Sequence, residues 1–80
     1  MNHNIKKLSS ILVRILEIDE ATVTDEMSPD TLEAWDSYNA LMLVSELETS
    51  FNVHFTMDEV VAVKNVKDIK DTLRRHGVDI

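Results

Sequence analysis

In "EAWDSYNALML", residues 33 to 43, a serine follows an aspartate at the point where an apolar helical pattern begins. The Ser37 hydroxyl has two possible chemistries, that of a nucleophile and that of an attachment point. A nucleophilic serine needs a base within hydrogen-bond reach and donors for an oxyanion. The three histidines, His3, His54 and His76, share no local motif with it. The chain has no cysteine, which excludes a disulfide framework, a thiolate metal site and a cysteine nucleophile. A lone glycine, Gly77, cannot form a Gly-rich phosphate loop, and neither a nucleophile elbow nor a His-x-x-x-His pair occurs. Asp58 and Glu59 are adjacent, and helical neighbours point in different directions. The acidic pairs Asp19–Glu20 and Asp25–Glu26 lack EF-hand spacing. No catalytic residue, no metal site and no enzymatic activity are therefore expected.

An attachment point is the better fit. A serine in the first helical turn after a long loop is exposed and held in place. The helix end presents free N–H groups and partial positive charge, which favour a phosphate ester on that hydroxyl. Asp36 is placed to cap the same turn. Tyr38 and Met42 put apolar surface beside it on the outer face, as docking surfaces do. The plain alternative is an ordinary capping pair in an unmodified helical interaction module.

The elements that position Ser37 follow from periodicity. Ile5, Leu8, Ile11, Leu12, Ile15 and Leu16 recur at helical spacing and predict a helix over 4–17, with Asn4 as N-cap. From Ile18 to Trp35 the pattern breaks into an acidic loop anchored by Val23, Met27 and Leu32. Ser28 and Pro29 suit the N-cap and first position of a short helical turn over 29–34. Ordered loops of this length are usually functional. A second long helix is expected over 37–51, with Leu41, Val44, Leu47 and Phe51 as its core face and Ala40 beside them. Met42 lies about 160° from Val44 on a helical wheel. Thr56 and Glu59 form a capping box for a short helix carrying Val60, Val61 and Val63. Asn65 opens a last helix with Asp68 at N3 and Val66, Ile69 and Leu73 inward. Arg74, Arg75 and His76 complement its dipole, and Gly77 suits C′. The residues Val53–Phe55 are too short for a strand and read as an extended connection.

Composition agrees with one small all-α domain spanning residues 1–80. Apolar residues make up 44%, with four aromatics, one Gly and one Pro. The formal charge of −7, from 8 basic and 15 acidic side chains, disfavours nucleic acid and anionic lipid. It suits solubility or a partner with a basic patch. Arg14 interrupts the N-terminal apolar run, so neither a signal peptide nor a membrane span is expected there.

At these residues the chain resembles the acyl carrier protein family. That family's signature is Asp-Ser-Leu at a helix start, then an apolar–Val–x–x–Leu–Glu run ending in Phe. Here it reads "DSYNALMLVSELETSF", and "FTMDEVVAVKNVKDI" follows in the family's order and at its distances. The likeness covers nearly the whole chain. "WDS" and "FNVHFTMDEV" look most like free-standing carriers beside specialised biosynthetic enzymes. The resemblance implies a small four-helix bundle, three long helices and one short, with the long loop between the first two. It implies a cytoplasmic monomer whose Ser37 receives a 4′-phosphopantetheine arm from coenzyme A. A phosphopantetheinyl transferase using magnesium would attach it, with Asp36 in transferase recognition. Acyl groups would ride as thioesters on the arm, between enzymes of fatty-acid, polyketide or other biosynthesis. A peptidyl or aminoacyl carrier is the related alternative.

Partner docking would fall on Tyr38, Met42, Glu46, Glu48, Val60 and Val61, against basic or apolar patches of acyl-loading and acyl-using enzymes. Leu47, Phe51, Val61 and Ile69 could line an acyl pocket, though ordinary packing explains them equally well. The family's Leu after the serine is Tyr38 here, and Asn39 and Met42 replace the usual outer acids. Those departures favour a dedicated partner over standard fatty-acid enzymes. Trp35 reads either as a buried anchor for the loop or as part of the docking rim.

Overall fold

Four helices carry the chain in the computed structural model, which describes residues 3–80: α1 (His3–Leu16), α2 (Ser37–Phe51), α3 (Met57–Ala62) and α4 (Val66–Arg75). No strand occurs among the described residues, and Val53–Phe55 is an extended connection. The architecture is the small all-α bundle the periodicity predicts, with the long loop between α1 and α2.

Helix α1 buries Leu8, Ile11, Leu12 and Leu16 against α2 and the rest of the core, while Ile5 is 37% exposed. Asn4 is not an N-cap. It lies inside the helix, and its side-chain amide donates to the Asp79 carbonyl at 2.8 Å, tying the helix start to the far end of the chain. The helix closes at Leu16, before Glu17, which adopts the left-handed conformation with φ 54°. The Ile18 N–H then reaches back to the Val13 carbonyl. A left-handed non-glycine residue costs roughly 1–2 kcal/mol.

The inner face of α2 differs from the wheel expectation. Leu43 and Leu47 are buried, with Ala40, Val44 and Phe51 packed beside them, whereas Leu41 is 65% exposed. Leu41 and Val44 are three apart and make a plausible stripe, but "LMLV" is apolar on nearly every side. Periodicity alone cannot orient such a helix. Packing against α1 selects the Leu43–Leu47 stripe, about 160° around the helix from Leu41.

The loop is more ordered than its composition suggests. A 3₁₀ turn at Glu20–Thr22 has no sequence signal. Residues 29–34 form hydrogen-bonded turns and not a helix: Thr31 and Leu32 donate to the Ser28 carbonyl, and Trp35 donates to that of Leu32. Ser28 does not cap a helix; its own N–H donates to Thr31 Oγ1 at 3.1 Å. Met27 and Trp35 are buried, and Val23 and Leu32 pack against the core. The loop also ties to α4, whose first N–H groups, on Val66 and Lys67, donate to the carbonyls of Met27 and Asp25 at 3.0 Å. Lys70 adds an ion pair to Asp25 at 2.6 Å.

The last two helices start as their caps predict. Thr56 and Glu59 make both bonds of the capping box, and Asn65 Oδ1 accepts the Asp68 N–H at 2.8 Å. Val66, Ile69 and Leu73 are buried. Gly77, with φ 87°, follows α4 where the Val78 N–H bonds back to Leu73 and the Gly77 N–H to Arg74, the Schellman pattern.

Candidate functional site

Ser37 is the first residue of α2 and is exposed. Asp36 has extended backbone geometry, and its carboxylate accepts the Asn39 N–H at 2.9 Å. The Asp36 carbonyl accepts the Ala40 N–H at 2.8 Å. Those two bonds leave the N–H groups of Ser37 and Tyr38 without a protein acceptor among the described residues. The Asn39 side chain donates to the Ala34 carbonyl at 2.7 Å, locking the end of the loop to the first turn. This role had no sequence signal, because Asn39 reads there only as a replaced acid.

This end of α2 is open to an anionic group. The hydroxyl is solvent-facing, two backbone donors are free for phosphate oxygens, and no carboxylate other than the cap belongs to the turn. Residues of the site therefore fit a phosphopantetheine arm. Glu59 holds His76 Nε2 at 2.9 Å, and His54 Nδ1 lies 3.6 Å from Glu48 Oε2. No group of three or more histidine, aspartate or glutamate side chains is arranged to hold a metal ion among the described residues.

A shallow surface depression adjoins the serine, lined by Pro29, Trp35, Asp36, Ser37 and Ala40. Next to it is an apolar cavity of about 90 Å³. Its walls come from Ala40, Leu43, Val44 and Leu47 of α2, Pro29 and Trp35 of the loop, Phe55, Val60, Val63, and Ile69 of α4. Pro29, Trp35 and Ala40 line both spaces. Of the four residues expected at an interior pocket, Leu47 and Ile69 line the cavity. Phe51 packs at the core edge and Val61 faces outward. Trp35 is a buried anchor, at 4% exposure.

The residues expected at a docking surface divide. Tyr38 is 71% exposed and Val61 69%, with Met42 also exposed. Leu41, which the helical pattern predicts as core, joins Tyr38 and Met42 on the open side of α2. Val60 is half-buried and lines the cavity. The two acids are used within the chain. Glu46 pairs with Arg14 of α1 at 3.0 Å, and that hydrogen bond and charge hold its carboxyl below the usual range. Glu48 accepts the Phe55 N–H at 2.8 Å, fixing the connection after α2.

No helix among the described residues is long and apolar enough to cross a membrane. No protein-family model matches this chain.

Proposed function

We propose that this protein is an acyl carrier, a tether with no catalytic site of its own. Ser37 holds a 4′-phosphopantetheine arm donated by coenzyme A, and acyl groups travel as thioesters on the terminal thiol. When bound, that thiol supplies the reactive atom the cysteine-free chain lacks. The observation that carries the reading is the serine's setting. Its hydroxyl is exposed in the first turn of α2, next to two free N–H donors and a capping carboxylate. Asp36 and Asn39 hold that turn in one position, so a visiting transferase meets a pre-ordered acceptor. Tyr38, Leu41 and Met42 supply an apolar docking surface on the same helix.

The test is an intact mass after incubation with coenzyme A, magnesium and a broad-specificity phosphopantetheinyl transferase. The expected result is the gain of one arm, abolished in Ser37→Ala. A folded wild-type chain that gains no mass would instead favour an unmodified interaction module. The exposed Tyr38, Leu41 and Met42 support that second reading as well.

A further inference from the structure

The first turns of α2 and α3 are closed by the same helical position in opposite ways. In both, the N-cap side chain accepts the N–H three residues on, Asp36 from Asn39 and Thr56 from Glu59. The side chain at that third position then turns back. Glu59 accepts the N–H of the cap residue itself, Thr56, at 2.8 Å and completes a capping box. Asn39 does the reverse. Its carboxamide nitrogen donates at 2.7 Å to a carbonyl ahead of the cap, that of Ala34.

The reversal has two consequences. It ties the end of the loop to α2 by a bond that only a donor can make. Ala34 precedes the buried Trp35, whose own N–H is held by the Leu32 carbonyl. The segment leading into Ser37 is thus fixed from the loop, the core and the helix. It also leaves the Asp36 N–H, like those of Ser37 and Tyr38, without a protein acceptor among the described residues.

An acid at position 39 undoes this arrangement. Aspartate has nearly the same shape but, when ionised, no donor, so its carboxylate faces the Ala34 carbonyl. Glutamate there has the reach to take the Asp36 N–H, as Glu59 takes that of Thr56.

We propose that Asn39 is a positioning residue: its carboxamide N–H, donated to Ala34, holds the turn that displays Ser37. It acts through the backbone of residues 34–36 and not on the hydroxyl itself. The consequence for arm attachment rests on Ser37 being the attachment point; the clamp on the turn does not.

The experiment compares Asn39→Asp and Asn39→Ala with wild type on the full chain. Backbone amide exchange, read by NMR where all three are folded, needs no arm. The Trp35 and Asn39 N–H groups, bonded to Leu32 and Asp36, exchange faster in both variants. Their acceleration exceeds that of the Leu73 N–H, buried in α4. A residue that only adds global stability would speed Leu73 by as much, which overturns the proposal. Unchanged exchange at Trp35 overturns it too.

Arm attachment is then timed with coenzyme A, magnesium and the broad-specificity transferase. Loosening the turn lowers the fraction of chain competent for the enzyme, so KM for the carrier rises and kcat holds. The expected rise is about fivefold in Asn39→Ala, the effect of one lost hydrogen bond, and larger in Asn39→Asp. A fall in kcat with unchanged KM would place Asn39 on the reacting atoms and end the positioning role. Wild-type kinetics in Asn39→Asp end it as well. If exchange changes as expected while the wild type gains no arm, the clamp stands and the carrier reading fails. If the arm is attached but exchange at Trp35 is unmoved, the carrier reading stands and this inference fails.

Discussion

Helices α2 and α4 begin with the same device and come to opposite ends. Each has an Asp or Asn N-cap in extended conformation whose side chain accepts the N–H three residues on, Asp36 from Asn39 and Asn65 from Asp68. At α4 the two N–H groups ahead of that bond are used, by the carbonyls of Met27 and Asp25. At α2 the corresponding groups, on Ser37 and Tyr38, have no protein acceptor among the described residues. Local cap chemistry is therefore not what distinguishes a site from a joint. The loop's course decides it, because the loop presses its carbonyls onto one helix end and leaves the other open. One end holds the fold together and the other is available to a visitor.

Four measurements sharpen or break this contrast. The largest effect is expected where the open end does its work. Ser37→Ala abolishes arm attachment while changing folding stability by no more than about 0.5 kcal/mol, as for a surface position with no internal partner. A large loss of stability would mean that the hydroxyl is structural.

Next come the two faces of α2 itself. Leu47→Ala costs about 2–5 kcal/mol, because it empties a site that is 1% exposed. Leu41→Ala costs about 0.5 kcal/mol or less. Urea unfolding measures both, and similar losses would return Leu41 to the core.

The caps follow. Asp36→Ala and Asn65→Ala each cost about 1 kcal/mol of stability by the loss of one side-chain acceptor. Their functional effects separate: arm attachment slows in Asp36→Ala and is unchanged in folded Asn65→Ala. Equal rates of attachment would remove Asp36 from the site.

The smallest effect is pH-dependent and belongs to the closed half of the molecule. The Thr56 N–H first, and then His76, hold the Glu59 carboxyl below the usual glutamate range. Folded Glu59 thus binds fewer protons than unfolded Glu59 between the two pKa values. Its contribution is whole above the ordinary glutamate range and is lost as pH falls through the lower folded value. Stability curves against pH should therefore fall less steeply on the acid side in Glu59→Gln than in wild type. Parallel curves would show that Glu59 is not a source of acid sensitivity.

Legibility in the sequence followed the range of the interaction. Caps are local, so Asp36, Thr56–Glu59, Asn65 and Gly77 could be read from residues a few positions apart, and each performs as read. Asn4 and Ser28 are exceptions: a carbonyl 75 residues away takes the Asn4 side chain, and residues 29–34 turn without forming the helix that Ser28 would cap. The orientation of α2 was not legible, since an all-round apolar run has no preferred face until α1 packs on it. The roles of Glu46 and Glu48 were hidden for the same reason: their partners, Arg14 and Phe55, lie on other segments.

The sequence by itself determined four helices, the caps that open the last three, the glycine that ends the fourth, and a serine in the first turn of the second. Hydrogen bonds and periodicities within a turn or two suffice for that. Only the tertiary structure decided that Leu43 and not Leu41 is core, that Trp35 lines both the serine's depression and an apolar cavity, and that the N-terminus of α4 is covered while that of α2 is open. Each of those outcomes depends on segments distant in the chain competing for the same surface, and no local pattern records which one prevails.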